Sequence, residues 1–161
     1  MLQKLEKNIQ IDPEFTRDLQ IAIVRTDYHA EFNDNLEDYA RETLIQHGVD
    51  KEHIETFSVP GAWEIPLMAQ TVAETGKFHA IITFGVIIKG ETHHFDMIAG
   101  EVGRMLMALS LTVRIPVALE ILAVYDRKQA ETRAGKNEQN KGIEGATAVL
   151  KMLAALKKVN Q

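Results

Sequence analysis

The sequence predicts an α/β fold in which a parallel sheet is covered by helices on both faces. Two observations carry this. Short, β-branched apolar runs alternate along the chain with longer stretches whose apolar residues recur at helical spacing, and that alternation implies right-handed crossovers between parallel strands. The run AIITFGVII, Ala80 to Ile88, is apolar at successive positions, as a strand must be when helices bury both of its sides. The 161 residues suit one compact domain over 1–161, with a polar N-terminal lead over 1–18.

After that lead, LQIAIV (Leu19 to Val24) reads as the first strand, stopped by RTDYHAEFND. Leu36 to His47 then sets Leu36, Ala40, Leu44 and Tyr39 on one helical stripe, with Gly48 as its stop. HIETFSV is the second strand. It ends at Pro60-Gly61, and WEIPLMAQTVAETG follows as a helix with Pro66 near its start and Gly76 at its end. Ala80 to Ile88 is the third strand, and a helix from Met97 to Leu111 carries Ile98, Val102, Met105, Leu106 and Leu109 at helical spacing. The apolar content of LMALSLTV assigns it to the core in preference to a subunit interface. IPVALEILAV supplies the fourth strand, and the polar stretch YDRKQAETRAGKNEQNKG leads to a last helix, Ile143 to Lys158, striped by Ile143, Ala146, Leu150, Leu153 and Ala154. The loops after the strands begin at Arg25, Pro60, Lys89 and Tyr125. All four gather at the carboxyl ends of the strands, where open α/β sheets bind ligands.

Composition narrows the function classes. A formal net charge of −5 favours neither nucleic acid nor an anionic membrane as the main partner. Without cysteine there is no disulfide framework, thiolate nucleophile or Cys-based metal site. The start MLQKLEKNIQIDPEF lacks the apolar core of a secretory signal and no stretch reaches membrane-spanning length, so a cytoplasmic location is expected.

The rim residues each have a plain and a chemical reading. In KGETHHFD, Gly90 permits a tight turn that exposes amide hydrogens to an anion, and Thr92 either donates a hydroxyl or caps the following helix. His93 and His94 point in different directions, so one can act while the other packs. A histidine oriented by Asp96 or Glu91 is suited to moving protons near neutrality, while structural hydrogen bonding is the ordinary alternative. No second His/carboxylate cluster supports a metal. Tyr28 can stack on a flat heterocycle or seal the sheet edge. Glu64 can accept hydrogen bonds from a polyol or serve the helix dipole, and the single tryptophan, Trp63, is assigned to packing. Arg133 and Lys141 can hold a phosphate or line a solvated loop. The strand-one turn has no glycine cluster and no GKS or GKT follows it, which removes the common nucleotide fingerprints.

Taken in order, VPGAWEIP, GVIIKGETHHFD, AGEV, RAG and NKGIEGA resemble the lumazine synthase family of riboflavin biosynthesis, over essentially the whole chain from Leu19. The resemblance implies a flavodoxin-like three-layer αβα sandwich with a four-stranded parallel sheet. It also implies homo-oligomers with active sites between adjacent subunits: pentamers, stacked pentamers or sixty-subunit icosahedral shells, with the short RAGKNEQNKG segment leaning toward a shell. Riboflavin synthase is a partner it suggests, and the polar lead would pack on a neighbouring subunit. The implied reaction joins 5-amino-6-(D-ribitylamino)uracil to 3,4-dihydroxy-2-butanone 4-phosphate, giving 6,7-dimethyl-8-ribityllumazine, phosphate and water, with no metal or organic cofactor.

By the same resemblance His94 is catalytic. Gly90, Glu91, Thr92 and the neighbour's Arg133 bind phosphate; Tyr28, Ala62, Trp63, Glu64, Val86, Ile87, Ile88, Leu119 and Lys141 bind the pyrimidine substrate. The sequence departs from the family pattern at Tyr28-His29, where FN is common, at Leu119, where an aromatic is common, and at Glu120, where glycine is frequent. AVYD from Ala123 replaces a threonine-containing stretch. Those departures leave a second reading, a structural pentamer or shell that binds a pyrimidine or flavin-like ligand with little turnover.

Overall fold

A computed structural model describes residues 11–160. Four strands, β1 (Ile21–Thr26), β2 (Ile54–Val59), β3 (Ala80–Ile88) and β4 (Val117–Val124), form one parallel sheet in the order β2-β1-β3-β4. The helices are α1 (Pro13–Arg17), α2 (Ala30–Gln46), α3 (Ile65–Glu74), α4 (His94–Val113), α5 (Arg127–Ala134) and α6 (Lys141–Val159).

Side chains on a strand alternate between its two faces, and the core accordingly divides in two. Ile21 and Ile23 of β1 and Ile82 and Phe84 of β3 pack against Leu36 and Leu44 of α2, Ala130 of α5 and Leu150 of α6. On the opposite face Ala22, Val24 and Ile81 meet Ile65 and Val72 of α3 and Val102 and Leu106 of α4. The expected three-layer αβα sandwich is therefore observed. None of the described helices is long and apolar enough to cross a membrane.

Several boundaries differ from the sequence expectation for identifiable reasons. β1 continues through Arg25 to Thr26, so Arg25 is a strand residue and the loop starts at Asp27. Its guanidinium can occupy a strand because Asp34 and Glu37 of α2 neutralise it at 2.6 Å and 3.0 Å. α2 starts at Ala30, well before Leu36, with Phe32 and Asn33 buried in its first turn; its N-cap, His29, is left-handed (φ 58°) and lends no side-chain cap that would announce the helix. α5 occupies what reads as a polar stretch. Only Ala130 and Ala134 face the core there, too little apolar surface to produce a visible stripe. LMALSLTV is divided: Leu106 and Leu109 are buried, while Met107 and Leu111 are 66% and 74% exposed.

Of the N-terminal lead, residues 1–10 lie outside the described residues. The remainder packs on its own chain. Ile11 and Phe15 pack against the α2/α6 face of the core, and the buried Thr16 hydroxyl donates to the His47 carbonyl at 2.6 Å.

Candidate active site

Parallel pairing brings the carboxyl ends of the four strands to one margin, but their ladders stop at different heights. β1 and β3 pair from Ile21 and Ala80 as far as Arg25 and Phe84, whereas β3 and β4 remain paired to Ile88 and Val124. From Gly85 to Ile88, β3 thus has a strand partner on the β4 side only. Main-chain donors and acceptors of Val86 and Ile88, which face the β1 side, are left without the strand partners that groups lower in the sheet possess, whereas those of Ile87 face β4, as the Lys89 amide does.

β3 runs directly into the histidine turn. The Lys89 amide donates to the Val124 carbonyl at 2.9 Å, residues 90–93 follow, and α4 opens with His94. Gly90 does not occupy the left-handed region, and a Cβ there would meet nothing within 4 Å, so the turn does not demand glycine as the sequence reading expects. Thr92 accepts from the His94 amide at 3.4 Å through its hydroxyl, while the N-cap itself, His93, offers no side-chain bond. Glu91 and His94 are exposed. Asp96 does not orient His94: its carboxylate lies 3.8 Å from His93 Nδ1 and 3.5 Å from Lys89 Nζ. Lys89 in turn sits over the rings of Phe95 and Tyr125, at 5.5 Å and 5.7 Å from their centroids, a cation–π arrangement that staples the turn to the end of β4.

Two further loops border this turn. After β1, the buried Asn33 amide donates to the Thr26 carbonyl at 3.1 Å and the Tyr28 carbonyl at 2.9 Å, fixing a loop that presents Tyr28 at 68% exposure. Sequence reasoning overlooked Asn33; the signal was a polar residue one turn ahead of the Leu36, Ala40, Leu44 stripe. After β2, Ala62–Glu64 form a short 3₁₀ turn that enters α3 and lies beside α4. Glu64 is exposed, with its carboxylate folded toward Gly61, where a Cβ would lie 3.2 Å from Oε2. Trp63 is 57% exposed, so it does not pack within its own chain as expected.

The remaining candidates belong to the β4 margin. Leu119 is 51% exposed on the free edge of β4, where an open groove of about 1000 Å³ is lined by Met107, Leu111, Met152 and Leu156. This groove runs toward the amino end of β4, away from the histidine turn. Arg133 lies in the last turn of α5 and donates from Nη1 to the Gln129 carbonyl at 3.3 Å. Lys141 is the first residue of α6, 14% exposed at its side chain and ion-paired to Glu144. Gly142 lets this end approach α2, since a Cβ would fall 2.0 Å from the Leu36 carbonyl oxygen.

Glu120 was noted only as a departure, yet it is buried at 9% exposure. Its burial, reinforced by the neighbouring Glu144 carboxylate and only partly offset by Lys141, pushes its carboxyl up to about 8. One acidic residue inside ALEILAV was the available signal. Among the described residues no three His, Asp or Glu side chains converge as a metal site would require. Within one chain, no hydrogen bond or ion pair among the described residues joins the His94 turn to Leu119, Arg133 or Lys141.

The family model described as 6,7-dimethyl-8-ribityllumazine synthase matches residues 18–157. That span contains all four strands, every rim loop and both margins of the sheet. The chain therefore belongs to the 6,7-dimethyl-8-ribityllumazine synthase family.

Proposed function

We propose that the rim of one subunit and the β4 margin of the next form a single lumazine synthase active site. The chain is an enzyme of this transferase type, condensing 5-amino-6-(D-ribitylamino)uracil with 3,4-dihydroxy-2-butanone 4-phosphate. The observation that carries the residue assignments is the one-sided pairing of Gly85–Ile88, which leads without interruption into the turn before His94.

In this reading the pyrimidine edge bonds to the main chain of Val86 and Ile88, with Ile87 between them lining the site, while Tyr28 covers a ring face. The Ala62-Trp63 backbone and the Glu64 carboxylate take the ribityl hydroxyls. Amides of Gly90, Glu91 and Thr92 meet the phosphate at the start of α4, where the helix dipole favours an anion, and a neighbour's Arg133 closes on it. Leu119 and Lys141 of that neighbour border the heterocycle.

The chemistry asks for alignment and proton movement. The pyrimidine amine attacks the ketone to give a carbinolamine, which loses water to become an imine. Phosphate then leaves, and the ribityl-bearing nitrogen closes the second ring with loss of another water. An imidazole at His94 can take and return these protons near neutrality, while Arg133 holds the phosphate as negative charge collects on it.

Membership of the family implies oligomeric assembly. A pentamer or a closed shell suits the apolar, unpaired β4 edge, because an uncovered edge of that kind invites association. Riboflavin synthase is the natural consumer of the product, and we place the reaction in the cytoplasm, where family members typically reside.

Purified protein with both substrates should form lumazine, seen by its absorbance, faster than the uncatalysed reaction; no acceleration would sink the reading and favour a scaffold. H94A should lower kcat about 10- to 100-fold with assembly intact, and R133A should raise KM for the phosphorylated substrate. Dissociating and reassembling the two variants together should restore part of the activity. Failure to complement would separate the two residues into different sites.

A further inference from the structure

Glu120 is the only charged residue of β4, and it points into the α2/α6 layer with its strand neighbours Ala118 and Leu122. The facing position on α6 is Gly145. A Cβ there would stand 2.7 Å from Glu120 Cγ and 3.2 Å from Ile82 Cγ2, so the helix omits a side chain where the glutamate enters. One turn earlier on the same helix is Lys141, already paired to Glu144. The ionisable groups that act on Glu120 are these two residues of α6; Ile82 of β3 and Ala130 and Ala134 of α5 are apolar. Lys141 is thus paired with Glu144, while Glu120 enters the same end of α6 with no hydrogen bond or ion pair of its own among the described residues.

We propose that Glu120 is a positioning residue for Lys141, forming with Glu144 a carboxyl–ammonium–carboxylate cluster that sets whether the ammonium is free to meet the pyrimidine substrate. With Glu120 protonated, Lys141 has the single counter-ion Glu144 and can extend toward the heterocycle. When Glu120 ionises, the cluster carries one more negative charge, in a low-dielectric setting where that charge attracts the ammonium inward. The change occurs near pH 8, where the buried carboxyl titrates. The inference rests on the proposed place of Lys141 beside the substrate.

The test uses the assembled enzyme, with kcat and KM for the pyrimidine measured from about pH 6 to about 10 for wild type, E120Q and K141M. In the wild type KM should rise across pH 8. In E120Q, which keeps the shape of the neutral acid but cannot ionise, KM should remain level there, a difference of about threefold at the alkaline end. Superimposable normalised profiles, alongside a marked KM increase in K141M, would overturn the role of Glu120 while leaving Lys141 at the substrate. A K141M enzyme with unchanged KM would instead overturn the placement of Lys141, and this inference with it. If E120Q fails to assemble, the double variant E120G/G145A, which transfers bulk from strand to helix, is read by the same profile.

Discussion

Glu37 and Glu120 are both withdrawn from solvent at opposite margins of one sheet, and folding drives them in opposite directions. Burial alone raises Glu37, but hydrogen bonds from Thr56, Arg41 and Arg25, with the Arg41 charge, more than offset it and hold the carboxyl below its usual range. At Glu120 burial is joined by repulsion from Glu144, and Lys141 compensates only in part. Donors that surround Glu37 and are missing at Glu120 let the first carboxyl keep its charge in spite of its burial. The β2 side surrounds its carboxylate with donors from the same chain, whereas the β4 side keeps a free edge, an apolar groove and an under-partnered acid.

The largest expected effect comes from removing the better-satisfied group. Glu37→Leu leaves Arg25 with Asp34 alone, in a network where the buried Arg25 Nε already lacks a bond, and urea unfolding should show a loss of about 3 kcal/mol. A loss below about 1 kcal/mol would mean that the cluster contributes little.

Glu120→Gln should act with the opposite sign. A carboxyl raised by folding contributes stability below the pKa of the unfolded chain, and that contribution is lost as pH rises toward the folded value of about 8. Wild type should therefore weaken between about pH 4.5 and 8 while the glutamine variant does not, so the gap between their thermal melts should widen toward alkaline pH. Parallel melting curves at every pH would show that Glu120 ionises without penalty. The smallest effect is expected for Gly145→Ala, whose methyl group meets the flexible arm of Glu120. It should cost about 1 kcal/mol, and combining it with Glu120→Gly should recover most of that loss; simple additivity would deny the contact.

The scaffold was legible where chemistry is local. Ala80–Ile88 announces itself because both faces of β3 are apolar, and the last helix shows Ala146, Leu150 and Leu153 at helical spacing. α5 was hidden because its buried surface consists of two alanines. Arg25 reads as a loop residue until the partners supplied by α2 are known. The rim could be inferred from parallel strand order, and short motifs pointed to the residues along it. The convergence we propose for them across a subunit boundary could not be read from the periodicity of one chain, since strand and helix patterns report only what a segment buries against its own fold. Glu120 stood in plain view, but its environment depends on a glycine in the last helix.

The unequal ladders of β3 have a consequence for selectivity. A lactam such as uracil offers, along one planar edge, the same alternation of N–H and C=O that a polypeptide offers, so in the placement we propose the guest would act as the absent rung of the sheet. Exchanging one lactam oxygen or nitrogen for carbon would then read as a mismatch in a language the backbone uses with itself, and mutation of the flanking side chains would scarcely repair it.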